Sequence, residues 1–296
     1  VKCKNQDLTP LIEMRIAVKT FGCKVNQYES QLLRENLEVQ GYALVDVPDA
    51  DMVVVNTCCV TEKAEKETGY FIRKYIADGK RVLVTGCAVR KQGFFLDKPT
   101  SSLEVYQDVD TLIRSICAVP FHTISRFDWH TRAFVKVEDG CENFCAYCIV
   151  PLVRGPVKSC PEQEIITEVS QLVENGYKEV VLTGIDLGAY GRGTGRNLIS
   201  LIEKISSIKG LKRIRLSSIE VFHISEELVE YLFSNRLFCR HLHIPLQSGS
   251  DRILRRMGRR YLFSDYLNVI EGIRKRDRTG RVTFTTDIMV GFPGED

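Results

Sequence analysis

Residues 132–148 read RAFVKVEDGCENFCAYC, a strand-like stretch that runs directly into a group of cysteines. Residues 133–137 form the apolar run that is typical of a buried strand. Cys141, Cys145 and Cys148 follow it in a C-x3-C-x2-C spacing. Thiolates hold iron–sulfur clusters, usually four to a 4Fe-4S cubane. Three thiolates in a compact group therefore predict a 4Fe-4S cluster with one iron left open to a ligand that is not protein.

The same stretch opens a long alternation of strands and helices. We predict strands at 133–137, 179–183, 212–216, 241–244 and 282–290, and helices at 162–175, 198–207, 225–234 and 250–275, the last with a break near Gly258. Successive strand-then-helix steps favour a parallel barrel or part of one over an open two-layer sheet. The sequence therefore predicts a partial parallel (β/α) barrel over residues 131–296.

A separate alternation precedes the barrel over residues 14–117. Strands are predicted at 15–20, 51–56 and 81–85, and helices at 29–40 and 61–77. Two of these strands are continuously apolar, as buried parallel strands tend to be. This pattern predicts a doubly wound α/β sandwich. Residues 118–130 lack a clean period and are predicted to form a linker, and residues 1–13 an extension without structure of its own.

Three cysteines of this first predicted domain each follow a strand: Cys23, Cys58 and Cys87. Because the carboxyl ends of parallel strands share one edge of a sheet, these side chains are expected to converge there. A single free cysteine is most often a small buried hydrophobe. Three in the same position after a strand instead predict a second set of cluster ligands. Cys59 adjoins Cys58 and could take its role by sequence alone.

The composition bounds the class of protein. The chain has 296 residues, of which 44% are hydrophobic, enough for two domains with a core each. No apolar run approaches the length of a membrane span and no signal peptide is recognisable, so we expect a cytoplasmic protein without membrane attachment. Its 11 cysteines are an odd number in a compartment that does not keep structural disulfides, which indicates that several are ligands.

The charge is unevenly distributed along the chain. Residues 240–281 hold 11 Lys and Arg against 4 Asp and Glu, whereas residues 15–114 hold 14 of each sign. Such a basic stretch fits an RNA-phosphate surface, and it fits a solvated helix face equally well. The final residues, 291–296, read as a strand end and a turn, so we expect the barrel to be C-terminally incomplete.

Zinc is the main alternative metal, because C-x2-C pairs commonly bind it. Structural zinc takes four protein ligands, and no second pair lies near residues 141–148. A zinc-dependent nucleic-acid-binding protein without catalysis is nevertheless the alternative from a different class. Metal content separates the two, since two cubanes would bring about eight irons per chain.

The cysteine spacing with Tyr147 as the aromatic, C-x3-C-x-aromatic-C, resembles the radical S-adenosylmethionine superfamily. That resemblance implies that the open iron chelates S-adenosylmethionine, whose reductive cleavage yields a 5′-deoxyadenosyl radical. More narrowly, GCENFC at 140–145, CIVP at 148–151 and RGP at 154–156 are similar to the methylthiotransferases over essentially all of residues 14–296.

The family resemblance also implies which residues serve each cofactor. It assigns Cys141, Cys145 and Cys148 to the radical-generating 4Fe-4S cluster and Cys23, Cys58 and Cys87 to an auxiliary 4Fe-4S cluster that delivers sulfur. Six positions are expected to line the S-adenosylmethionine site, one in the cysteine group and five at barrel strand ends: Tyr147, Gly184, Asp186, Ser218, Gln247 and Ser248. No side-chain acid or base is assigned to catalysis.

The substrate expectation depends on one motif. FGCKVNQYES at 21–30 resembles most the branch that adds a 2-methylthio group to N6-threonylcarbamoyladenosine at position 37 of tRNA. The alternative within the family is methylthiolation of N6-isopentenyladenosine in tRNA. Either branch implies the tRNA anticodon loop and an electron donor as partners, while the sequence gives no indication of oligomeric state.

Overall fold

The structure is a computed structural model that describes residues 14–91 and 101–295. It divides into two compact units, Val1–Ile124 and Ser125–Asp296. The division falls inside the predicted linker 118–130, and the predicted extension 1–13 lies outside the described residues. The domain limits themselves stay predictions.

The first unit is a parallel sheet with helices between its strands. Its strands are β1 Arg15–Thr20, β2 Ala43–Leu44, β3 Met52–Thr57, β4 Arg81–Gly86 and β5 Leu103–Val105, and its helices are α1 Lys24–Val39, α2 Glu62–Ala77 and α3 Val109–Ile116. The strand order is β2-β1-β3-β4-β5 with every pair parallel. In this order the chain changes direction between β1 and β3, which is where doubly wound sheets bind ligands.

Both faces of this sheet are covered. Every residue of β3 is buried, although successive side chains of a strand point to opposite faces. On one face Val53 and Val55 pack with Ile72 and Tyr75 of α2. Helix α1 packs against β1 and β3 and also against α3, and it covers the other face. The predicted doubly wound sandwich is therefore confirmed.

The second unit contains the remaining elements. Its strands are β6 Ala133–Lys136, β7 Glu138–Asp139, β8 Lys158–Ser159, β9 Glu179–Thr183, β10 Arg213–Leu216, β11 His241–His243 and β12 Thr283–Thr285. Its helices are α4 Val150–Arg154, α5 Glu162–Glu174, α6 Leu198–Ser206, α7 Glu226–Ser234, α8 Asp251–Arg256 and α9 Phe263–Arg276.

The barrel strands pair in chain order and in parallel. Strands β6, β9 and β10 form one ladder, and β11 and β12 form another. Single parallel bridges from Ile214 to Phe238 and from Ser218 to His243 continue the ladder from β10 to β11. Since α5, α6, α7 and then α8 with α9 separate consecutive strands, the partial parallel (β/α) barrel is confirmed.

Two element limits differ from the sequence prediction. Helix α1 begins at Lys24 and not at residue 29, because Gly22, at φ +110°, turns the chain directly out of β1. The strand predicted at 282–290 is regular only over Thr283–Thr285, because the Thr286 hydroxyl accepts the amide of Leu246 at 2.8 Å in place of a ladder bond. The predicted break near Gly258 is present between α8 and α9. In the described ranges no helix combines the length and hydropathy of a membrane span.

Candidate functional site

The cysteine group lies in a loop with a closed base. Strands β7 and β8 pair antiparallel on either side of residues 140–157, which we call the cluster loop. The backbone N–H of Cys141 donates to the carbonyl of Gly155 at 3.0 Å. Gly140 has φ +87°, and a Cβ there would lie 2.1 Å from the carbonyl oxygen of Pro156. Only glycine fits at this point, so the start of the loop is fixed by local geometry.

The three cysteines of the loop are partly exposed and close enough for their charges to interact. Burial, together with the charges of Asp186, Cys148 and Cys145, raises the pKa of Cys141 to about 11. Burial is also the main reason that the pKa of Cys148 is raised. Three soft thiols with an open side fit a 4Fe-4S cluster that has three protein ligands. Over residues 14–91 and 101–295, no three His, Cys, Asp or Glu side chains already stand in metal-binding geometry.

A buried arginine contacts this group. Arg259 Nη1 lies 3.3 Å from Cys145 Sγ and 3.4 Å from the hydroxyl of Tyr147. Its Nη2 donates to Glu220, just past the end of β10. Burial alone would lower the pKa of Arg259, but Glu220 together with the neighbouring Tyr261, Tyr147 and Cys145 outweighs it and the pKa is raised. The sequence did not single out Arg259, because its partners lie far away along the chain.

Asp186, predicted as a pocket residue, is buried at the carboxyl end of β9. Its Oδ2 accepts from Asn143 Nδ2 at 3.1 Å, and its Oδ1 lies 2.9 Å from His223 Nε2. Since Asn143 belongs to the cluster loop, this carboxylate links the loop to the strand edge. An ion pair with His223 forms when the imidazole carries a proton.

A second buried carboxylate, that of Glu138, contacts the backbone of Asp186. Glu138 Oε2 accepts the backbone N–H of Asp186 at 2.8 Å. Burial raises the pKa of Glu138 to about 8. A Cβ on Gly184 would lie 2.6 Å from the same Oε2, so the predicted pocket residue Gly184 leaves room for this carboxylate. Glu138 was not identified from the sequence, since one acidic residue after a strand carries no distinctive pattern.

The remaining predicted pocket residues also lie at strand ends. Ser218 is exposed just past β10, and its backbone bridges to His243 of β11. Gln247 has φ +67°, which is rare for a residue other than glycine. Its backbone N–H donates to the carbonyl of Asp287 at 2.8 Å. Ser248 is buried. As contacts to S-adenosylmethionine, all six positions stay predictions.

The first unit brings two of its predicted ligands to the switch point of its sheet. Cys23 follows β1, is exposed, and donates from Sγ to Asn26 Oδ1 at 3.3 Å. Cys58 follows β3 and is buried. A Cβ on Gly22 would lie 3.0 Å from Cys58 Sγ, which places the Cys58 side chain against the residue before Cys23.

Cys87 follows the adjacent strand β4. It comes after Gly86, whose φ is +98° and whose added Cβ would lie 2.4 Å from Asn56 Oδ1. Burial, together with the nearby Cys87 and Cys58 thiols, raises the pKa of Cys59 to about 12. The cysteines that end β3 and β4 are therefore close neighbours. This donor set of thiols at one sheet edge also fits an iron–sulfur cluster.

Comparisons with known proteins match both units. A family model described as the Radical SAM superfamily covers residues 135–296, and one described as Uncharacterized protein family UPF0004 covers residues 15–106. The threonylcarbamoyladenosine tRNA methylthiotransferase MtaB of Chlamydia pneumoniae is 40% identical over 286 residues, which cover 93% of this chain and 67% of that protein. The chain belongs to the radical S-adenosylmethionine methylthiotransferases. Membership makes it an enzyme that uses S-adenosylmethionine and a 4Fe-4S cluster.

Other methylthiotransferases match over a similar extent. The MtaB protein of Thermotoga maritima is 36% identical over 299 residues, covering 95% of this chain and 68% of the relative. A tRNA-2-methylthio-N(6)-dimethylallyladenosine synthase of Lawsonia intracellularis is 32% identical over 325 residues, covering 96% and 71%. This chain thus spans about two thirds of the length of these relatives.

A solved structure supports the fold. The radical S-adenosylmethionine methyltransferase TsrM of Kitasatospora setae, described with cobalamin and a 4Fe-4S cluster bound, superposes with a TM-score of 0.62. It is 14% identical, and the match covers 95% of this chain and 70% of TsrM. At this identity the likeness concerns the arrangement of strands and helices alone.

Proposed function

We propose that this methylthiotransferase adds a 2-methylthio group to N6-threonylcarbamoyladenosine at position 37 of tRNA. The observation that carries the proposal is the presence of two separate three-cysteine groups. Cys23, Cys58 and Cys87 each follow a parallel strand, and Cys141, Cys145 and Cys148 lie together in the cluster loop between β7 and β8. When bound, one 4Fe-4S cluster with S-adenosylmethionine supplies a 5′-deoxyadenosyl radical, and a second cluster supplies sulfur.

Within the barrel, taken as residues 131–296, the chain's own groups orient the cosubstrate. Asp186 offers a buried carboxylate suited to the ammonium group of a methionine moiety, and Asn143 donates to one of its oxygens while His223 lies beside the other. Further contacts are proposed at the remaining strand-end and loop positions: Tyr147, Gly184, Ser218, Gln247 and Ser248. The role of these residues is ligation, orientation and exclusion of water, as in cofactor enzymes generally.

The auxiliary cluster is assigned to the first domain, taken as residues 14–117. Its proposed ligands are Cys23, Cys58 and Cys87. Contact between the Cys58 side chain and Gly22, the residue before Cys23, supports Cys58 over the adjacent Cys59. We propose both this set of ligands and the presence of a second cluster.

The substrate is supported by the motif at residues 21–30 and by the names of relatives. Proteins named for threonylcarbamoyladenosine reach 40% identity, while the relative named for dimethylallyladenosine is 32% identical. We take the tRNA anticodon loop as the substrate surface, an external one-electron donor as the reductant, and the cytoplasm as the site of action.

Mass spectrometry of tRNA nucleosides tests the substrate. Cells that lack the gene should lose 2-methylthio-N6-threonylcarbamoyladenosine and accumulate the unmodified nucleoside. A gene copy carrying Cys141→Ala should fail to restore it, and one carrying Cys239→Ala, a buried cysteine outside both groups, should restore it. Loss of the isopentenyladenosine derivative instead would assign the protein to the other branch.

Metal analysis tests the alternative of a zinc-dependent nucleic-acid-binding protein. Anaerobically purified protein should be brown and contain iron and sulfide. A colourless protein with zinc bound at either cysteine group would contradict the proposed function.

A further inference from the structure

We propose that Arg259 is a positioning residue that raises the reduction potential of the cluster held by Cys141, Cys145 and Cys148, through a charged N–H donor to the Cys145 sulfur. The inference rests on the proposed cluster site and goes beyond it by naming what controls the ease of reduction. It does not depend on which adenosine is the substrate.

The guanidinium of Arg259 is fixed from several sides. Nη1 faces Cys145 Sγ at 3.3 Å, Nε donates to the hydroxyl of Tyr261 at 3.1 Å, and Nη2 donates to Glu220. Only 4% of the side chain is exposed. Because the guanidinium is planar and its nitrogens donate to separate partners, it is held in a single orientation. In that orientation Nη1 points at the Cys145 sulfur.

The backbone keeps this side chain against the cluster loop. The carbonyl of Leu254 accepts the backbone N–H of Arg259 at 2.9 Å, so the segment after α8 folds back on itself. The carbonyl of Met257, in the same segment, accepts the amide of Ala146 at 2.9 Å. Ala146 is the residue after Cys145, so loop and arginine share a backbone connection.

The charged donor is specific to one ligand. The thiols of Cys141 and Cys148 have the backbone amides of Asn143 and Val150 as hydrogen-bond partners, whereas Cys145 has the guanidinium. The next residue, Arg260, is exposed and donates to the carbonyl of Glu142. Of these two adjacent arginines, only Arg259 reaches a sulfur.

Elementary electrostatics gives the direction of the effect. Reduction adds one electron to the cluster, taken from an external one-electron donor, and spreads the charge over its sulfurs. Hydrogen bonds to the sulfurs and nearby positive charge stabilise the reduced form more than the oxidised form. Burial strengthens the effect because the effective dielectric is low. Glu220 acts in the opposite direction, since its carboxylate partly cancels the guanidinium charge.

A redox titration monitored by electron paramagnetic resonance tests the proposal. The full chain carries Ala at Cys23, Cys58 and Cys87, so that only the cluster of interest titrates with dithionite. Arg259→Met should lower the reduced-to-oxidised ratio at a fixed potential about tenfold, which is about 59 mV for one electron. Arg259→Lys keeps the positive charge but lacks the planar guanidinium, so it should shift the midpoint potential less than Arg259→Met does. Arg255→Met removes an exposed charge on α8 and should leave it unchanged.

Glu220→Gln supplies the decisive comparison, because it should move the midpoint upwards while Arg259→Met moves it downwards. If the substitutions merely made the site less ordered, the midpoints of both variants would shift in the same direction. That result would overturn the proposal. An unchanged midpoint in Arg259→Met with about four irons bound would also overturn it. If Arg259→Met does not hold iron, the shifts in Arg259→Lys and Glu220→Gln decide. Absence of iron from the unsubstituted cluster loop would refute the proposed function and this inference together, whereas a wrong tRNA substrate would affect neither midpoint.

Discussion

Glu138 is a carboxylate without solvent access in β7, just after the first barrel strand β6. One oxygen accepts the amide of Asp186, and the other has no hydrogen-bond partner among the described residues. Burial raises its pKa to about 8, and the nearby Asp139 and Asp186 contribute in the same direction. At neutral pH the Glu138 side chain is therefore mainly uncharged, and it accepts from the backbone just after β9.

This burial predicts a pH dependence of stability. Between the ordinary pKa of 4.5 and about 8, the folded protein keeps a proton on Glu138 that the unfolded chain has released. The free energy of unfolding therefore falls as the pH rises through this window, by up to about 1.4 kcal/mol per pH unit. Glu138→Gln keeps an acceptor for Asp186 but cannot ionise, so it should lack this contribution.

Urea unfolding at pH 6, 7 and 8 measures the difference. The stability of Glu138→Gln relative to the original protein should increase with pH across the series. Parallel pH profiles for the two proteins would show that Glu138 is already ionised at pH 6.

For single residues, the sequence indicates the proposed ligands more readily than the side chains that contact them. The six cysteines follow strands or form a short motif, so local pattern was enough to find them. Arg259, Glu138 and His223 have no such pattern, because each owes its role to a partner that folding brings close, as Cys145 is to Arg259. The sequence alone therefore could not predict what orients the site.

At the scale of elements, the turn from β7 into the cluster loop makes a specific prediction. Gly140 and Gly155 both have positive φ, and Gly155 also has ψ −162°, a combination found almost only in glycine, so alanine at either costs about 1–3 kcal/mol of backbone strain. A Cβ at 140 also meets Pro156 at 2.1 Å, whereas at 155 it meets nothing within 4 Å. Gly140→Ala should therefore displace Cys141 and lose most of the iron of this loop, and Gly155→Ala should retain it.

Iron content and the free energy of unfolding, measured on both variants, check this. Similar destabilisation with iron lost only from Gly140→Ala is the expected outcome. Equal iron in both variants would mean that the close approach to Pro156 does not position the ligand.

The order of regular elements was largely predictable, but several short ones were not. Strands such as 15–20 and 179–183 are clear because each is a short run rich in β-branched or apolar residues that is followed closely by a glycine, Gly22 or Gly184. Strands β7 and β8 have two residues each and are defined only by pairing with each other across the cluster loop. A period of two cannot be recognised in two residues.

At the scale of the whole molecule, the basic stretch at 240–281 is less exposed than its composition suggests. Arg259 is buried against the cluster loop, Arg240 pairs with Asp277, and Arg276 pairs with Glu226. Counting charges along the sequence therefore overstates the surface available to tRNA. Exposed residues such as Arg255 and Arg260 remain for contact with phosphates.

We propose that the two cysteine groups each hold a cluster in one chain. The direct measurement is iron and acid-labile sulfide per chain in the anaerobically reconstituted protein and in two triple variants. One variant replaces Cys23, Cys58 and Cys87 by Ala, the other Cys141, Cys145 and Cys148. A Cys117→Ala, Cys239→Ala double variant is the control, since neither cysteine belongs to a group.

We expect about eight irons and eight sulfides in the original protein and in the control, and about four of each in either triple variant. Iron that stays unchanged when Cys23, Cys58 and Cys87 are replaced, or disappears entirely when either group alone is replaced in a protein that remains folded, would contradict the proposal.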